Sequence, residues 1–190
     1  ASRGTYVTVH AHNNAGIRNA VRAGVRCVEH GTDIDEETAQ LMREHDVALV
    51  PTFAVVEQLT DTESMDLDPA IRDRAAGVRQ RMASALAVSR AAGLRIGLGS
   101  DLIGPHQQRR GEELRLRAEL ESPMHALVSA TSVNADILGI GESVGTIRVG
   151  MQADMVAWQQ DPLHDAKVFA DPDMAVLVVK AGHVVKGEVR

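Results

Sequence analysis

One cysteine in 190 residues, Cys27, excludes an intrachain disulfide and a cysteine-rich metal site. It sits inside an apolar run, where a small buried side chain is the usual reading. Positive charge is also in short supply. Twenty Lys and Arg stand against 26 Asp and Glu, and the formal net charge of -6 argues against a nucleic-acid surface. No apolar run is long enough to cross a bilayer. The expected partner is therefore a small polar molecule, with no nucleic acid and no membrane, and the expected location is cytoplasmic. An initiating methionine is missing too: "ASRGTYVTVH" starts at the threshold of a strand, so the chain reads as a piece of something longer, and a signal peptide would be invisible in it.

What is present describes a soluble globular chain of one domain with a smaller second one, 44% hydrophobic and 24% charged. Four apolar runs end on a polar group. "YVTVHAH" (6–12) delivers His10, "VRCVEHGTD" (25–33) delivers His30, "VALVPTF" (47–53) delivers Thr52 and "LRIGLGSD" (94–101) delivers Asp101. Helical signals lie between them. "NNAGIRNAVRAG" spaces Ile17, Ala20 and Val21 helically, with Asn13 or Asn14 as N-cap and Gly24 as stop. Asp33 and Glu36 resemble a capping box for a helix reaching about His45. A polar loop follows at 60–69. Ile71, Val78, Met82 and Leu86 then mark one face of a long helix whose arginines, Arg72, Arg74, Arg79, Arg81 and Arg90, read as a solvated face.

Repeating βα units with nearly continuous apolar strands imply a parallel sheet covered by helices. From about Gly141 the grammar changes. "VGTIRVGMQADMVAW" and "MAVLVVKAGHVVKGEVR" read as a small antiparallel β unit, joined through the helix "MHALVSATSVNADILGI".

In parallel α/β folds ligands collect at strand C-termini. His10 and His30 are 20 residues apart, one compact βα step, so adjacent strands would aim them at the same mouth, with Asp101 two strands further on. Two imidazoles and a carboxylate suit zinc or a similar divalent ion, and the carboxylate can also move protons. His12, just past its strand, is a candidate for substrate contact or a hydrogen-bonded loop residue. His106, in "LIGPHQQRRGEE", is a candidate for substrate contact or an ordinary loop histidine. Arg109, Arg110 and Glu113 read as solvated. His45, His125, His164 and His183 read as structural or exposed. Glu29 is expected to point away from the mouth by strand alternation.

The motifs "VHAHN", "AGVRCVEHG", "GLGSD", "ALVSATSVNADILGI", "VGTIRVGMQADMVAW" and "VLVVKAGHVVKG", in this order, resemble the amidohydrolase superfamily. The likeness is to its imidazolonepropionase-like and Xaa-Pro dipeptidase (prolidase)-like branch, in the C-terminal part. It implies an incomplete (β/α)8 TIM-type barrel, the C-terminal half, over 1–140, and a small β unit over 141–190 that forms part of a composite β-sandwich. It implies that His10 and His30 hold one of two divalent ions, usually zinc, and that Asp101 touches the other and acts as proton shuttle. The implied reaction is hydrolysis of an amide or peptide-type C–N bond in a dipeptide or cyclic amide. The family's HxH pair on the first strand and its bridging lysine on the fourth have no counterpart here, so the strands match the fifth to eighth of a barrel that normally takes about 250 residues. Partners then include the missing N-terminal half or another copy of the chain. Two rival readings are a non-catalytic remnant serving as an interaction module, and an enzyme using His10 and Asp101 as metal-free base and acid.

Overall fold

The computed structural model describes residues 5–61 and 68–188. The chain divides into two compact units, Ala1–Ile103 and Gly104–Arg190. The helical residues 111–138 thus fall in the second unit with the small sheet.

In the first unit, strands β1 (Thr8–Ala11), β2 (Cys27–His30) and β3 (Ala48–Val50) form a parallel sheet in that order. Helices α1 (Asn14–Arg22) and α2 (Glu36–Glu44) provide the crossovers. The run "LRIGLGSD" contributes a single parallel bridge, Leu49 to Ile96, rather than a strand. Gly97 and Gly99 account for this, since glycine weakens strand pairing and carries no side chain to pack. No closed barrel forms among the described residues.

Strand alternation sorts the two faces of this sheet. Val28 and Leu49 are buried against Ile17 and Val21 of α1, Ala39 and Met42 of α2, and Ala85 of α4 (Pro69–Ala91). The opposite face carries His10, Cys27 and Glu29, because the register sets His10 beside Glu29 and Thr8 beside Cys27. Burial and the neighbouring charge of Glu29 push the Cys27 thiol up to about 12.

Local signals explain most element ends. Asn13 caps α1 by accepting from the Gly16 amide at 2.8 Å, and Gly24 takes φ +83° after its end. The cap of α2 is Asp35, accepting from the Thr38 amide at 2.8 Å, and not Asp33, which instead accepts from Arg81 Nε at 2.8 Å. The run "VALVPTF" is strand only to Val50. Pro51 has no amide hydrogen to donate to a ladder, and Phe53 opens a helix, α3 (Phe53–Thr60). The middle of the expected polar loop, 62–67, lies outside the described residues. On α4, Ala75, Met82, Ala85, Leu86 and Ser89 are buried while Ile71 is exposed. Arg74, Arg79, Arg81 and Arg90 are exposed, as a solvated face requires, and Arg72 is half-buried.

The second unit contains α5 (Gly111–Leu120), α6 (Pro123–Val128) and α7 (Asn134–Leu138), the last two joined by a π-helical stretch, Ser129–Val133. Strands β4 (Met155–Trp158), β5 (Ala175–Lys180) and β6 (His183–Lys186) form an antiparallel sheet in sequence order. The segment "VGTIRVG" expected to join it lies outside any strand, with Ile147 and Val149 exposed. Glu113, read as solvated from the sequence, is fully buried. Beside it on α5, buried Arg117 pairs with Glu121 at 2.7 Å. No helix among the described residues is long and apolar enough to cross a membrane.

Gly31, at the end of β2, has little room for a side chain. Its φ is +58°, and a Cβ there would stand 2.5 Å from Leu49 Cδ1 and 2.7 Å from Ile34 Cδ1. Gly31→Ala is expected to lower unfolding stability by about 1 kcal/mol or more, whereas Gly16→Ala, with only Asn13 atoms at 3.4 Å and beyond, leaves it unchanged or raised. Urea midpoints of the two variants check this; equal midpoints would contradict it.

Candidate functional site

The C-terminal ends of β1 and β2 present three imidazoles. His10 and His12 lie two residues apart along the end of β1 and therefore share a face. His30 does not follow from alternation. Its register partner is Ala11, whose side chain lies in the helix-side core, so an extended His30 would follow Val28 toward the helices. Instead His30 has φ +71° and Gly31 φ +58°. This left-handed pair turns the ring to the His10 face.

The result is a compact cluster. Ring centroids of His10 and His30 are 4.4 Å apart, those of His10 and His12 4.7 Å, and those of His12 and His30 5.0 Å. Nε2 of His10 and Nε2 of His12 approach to 3.1 Å. The Nδ1 atoms of the other pair are engaged elsewhere: His12 Nδ1 meets Thr32 Oγ1 at 2.8 Å, and His30 Nδ1 meets Thr52 Oγ1 at 2.8 Å. Both threonines are buried.

Asp101 also stands in the left-handed region, at φ +49°, exposed at the end of its segment. Its charge is felt at His30 and at Glu29. Two of the four positive-φ non-glycine residues among those described are thus His30 and Asp101. Such conformations cost on the order of 1–3 kcal/mol and persist where the surroundings over-determine them.

The surroundings oppose protonation of His12 and His30. Burial lowers the His30 pKa below its usual 6.5, and the adjoining charges of His10 and His12 lower it further, with Asp101 opposing. Burial likewise lowers His12, followed by His10, while Asp33 opposes. Glu29 is raised by burial, with hydrogen bonds from Cys27 and Thr8 opposing. The register corrects the expectation for Glu29: it faces the same side as His10.

His106 lies in the 3-10 turn Gly104–Arg109 of the second unit. His45, His125, His164 and His183 are exposed. Thr32 carries no motif in the sequence, and Thr52 reads there only as a polar strand end. The signal was their spacing, 20 and 22 residues after His12 and His30, one βα step each.

The donor set suits a divalent ion in kind, because neutral imidazoles with Nδ1 engaged leave Nε2 for a metal. In number it is short: among the described residues no group of three or more His, Cys, Asp or Glu is arranged to hold an ion.

The family model described as the amidohydrolase family matches residues 1–185. The chain belongs to the amidohydrolase family. It is 31% identical to ochratoxinase of Aspergillus niger over 98% of this chain and 39% of that protein. It is 35% identical to imidazolonepropionase of Pseudomonas putida over 48% of this chain and 24% of that protein. The crystal structure of a prolidase complexed with N-methylphosphonate-L-proline superposes with a TM-score of 0.91 at 36% identity, over 98% of this chain and 46% of that one. These relatives belong to the branch that the motifs resemble, and the chain spans less than half the length of each. Its α/β fold is that of about half of such a barrel protein.

The lowered histidine pKa values set a direction for acid sensitivity. Both rings are neutral, folded or unfolded, at about pH 8; as pH falls through about 6.5 the unfolded chain binds protons that the folded chain resists, so stability falls. Urea midpoints with chelator present should drop between about pH 8 and pH 5.5. The drop should shrink in a His12→Gln/His30→Gln variant, and an undiminished drop there would contradict the assignment.

Proposed function

We propose that the protein carrying this chain is a metal-dependent hydrolase of amide or peptide-type C–N bonds, acting on a dipeptide or a cyclic amide. The observation that carries the reading is the convergence of His10, His12 and His30 on one face at the ends of parallel strands, in a chain of the amidohydrolase family. The activities by which its relatives are named, those of a prolidase, an ochratoxinase and an imidazolonepropionase, support the bond type.

His10 and His30 would hold a divalent ion, zinc in kind, with Asp101 at a second ion or beside the first. Such an ion, when bound, supplies a water of lowered pKa and polarises a carbonyl. Asp101 accepts the proton of the attacking water and delivers it to the leaving nitrogen. Its place at a segment end, exposed and within electrostatic reach of His30, supports that role. His12 lies beside both rings and would contact substrate there. The assignment of His106 to substrate rests on its place in the loop after Asp101 alone.

With fewer than three enclosing donors among the described residues, the chain supplies part of a coordination sphere. The remainder would come from a missing N-terminal half or another copy of the chain. On this reading residues 1–140 belong to the C-terminal half of the barrel and 141–190 to a composite β-sandwich. The same shortage of donors favours, as a second reading, an incomplete chain that acts only as a structural module.

Elemental analysis and turnover of the full protein separate the two. Asp101→Asn should lower turnover at least about 10²-fold with metal retained. His10→Ala and His30→Ala should lose metal, and His45→Ala and His183→Ala should keep it. Wild-type turnover in Asp101→Asn, or equal metal in all four histidine variants, would overturn the proposal, and a metal-free, inactive wild type would establish the module.

A further inference from the structure

We propose that Thr32 and Thr52 are positioning residues, each accepting a hydrogen bond from Nδ1–H of the histidine one βα step earlier, so that Nε2 of His12 and of His30 is the unprotonated nitrogen, that of His12 facing Nε2 of His10 at 3.1 Å. The two pairs are alike: His12 to Thr32 and His30 to Thr52, both 2.8 Å, with both hydroxyls buried.

The helix that Thr52 precedes leaves its oxygen open to accept this bond. Thr52 is the N-cap residue of α3, where a threonine hydroxyl ordinarily accepts from the amide two or three residues on. Here it makes no cap hydrogen bond. The amide it would serve, Val55 N, donates instead to the Ser100 carbonyl at 3.1 Å. That substitution releases the Thr52 oxygen to accept from His30, and it ties the start of α3 to the residue before Asp101.

Thr32 is held by backbone bonds on both sides. Gly31 N donates to the Ala11 carbonyl at 3.0 Å and Asp33 N to the His12 carbonyl at 2.9 Å. The end of β2 is thereby pinned along the end of β1, with Thr32 opposite His12. A hydroxyl that accepts at Nδ1 fixes tautomer and ring orientation together, and ligand histidines are ordinarily held in this way.

The consequence for metal rests on the reading in the preceding section, so the test has one arm that needs no metal. In chelated full protein at about pH 8, where neutral imidazole is the prevailing form, ring nitrogen-15 spectra of wild type should show His30 protonated on Nδ1. Thr52→Val, which keeps the shape and removes the hydroxyl, should shift His30 toward the Nε2–H form, and Thr52→Ser should restore the wild-type pattern. Thr32→Val should do the same to His12. In the metal arm, cobalt titration should give a Kd about 10- to 100-fold weaker in Thr52→Val and within about threefold of wild type in Thr52→Ser.

An Nε2–H tautomer in wild type would overturn the proposal. So would Thr52→Val with wild-type tautomer and affinity, or Thr52→Ser as impaired as Thr52→Val, since that pattern belongs to packing. A tautomer that shifts as expected while no protein binds cobalt would support the positioning role and overturn the metal reading.

Discussion

The left-handed turn at His30 and Gly31 is the constraint on which the site depends. Strand alternation sends every second residue of β2 to the helices, and His30 is due on that side. With φ +71° at His30 and φ +58° at Gly31, the ring joins His10 and His12 instead. The contacts that hold the turn are specific: the Gly31 amide bonds to Ala11, Leu49 and Ile34 fill the space a side chain at 31 would need, and Thr52 receives the ring. A backbone strain of about 1–3 kcal/mol is sustained by this surrounding structure.

The same geometry governs charge. Burial opposes protonation of His30 and His12, and the adjoining rings, within 5.0 Å, add to the effect. Neutral rings with committed Nδ1 atoms are acceptors at Nε2, which is the chemistry of a cation site and not of an anion site. Among the described residues Asp101 is the carboxylate whose charge draws His30 the other way.

Much of this was legible in the sequence. The repeat of apolar run and polar terminus located His10, His30 and Asp101, and the Asn13 cap and Gly24 stop bounded α1. Where reading by pattern failed, a local physical choice had overridden it. α3 was hidden because apolar residues continue through Pro51 into Phe53, so periodicity has no break to report. The α2 cap fell on Asp35 because Asp33 is occupied by Arg81, 48 residues away in sequence. The last run is one bridge because two glycines interrupt it. Glu113 looked solvated among charged neighbours, yet it is buried in α5 alongside the buried Arg117–Glu121 pair, which composition does not disclose. The threonine partners of the histidines needed a three-dimensional register to be seen.

The most direct test of the account is to crystallise the full protein with zinc and collect anomalous diffraction at the zinc edge. A peak is expected at coordination distance, about 2.0–2.1 Å, from a ring nitrogen of His10 and from Nε2 of His30, with Nδ1 of His30 still on Thr52. A fully occupied peak bound to neither histidine, or one bound through Nδ1 of His30, would contradict it.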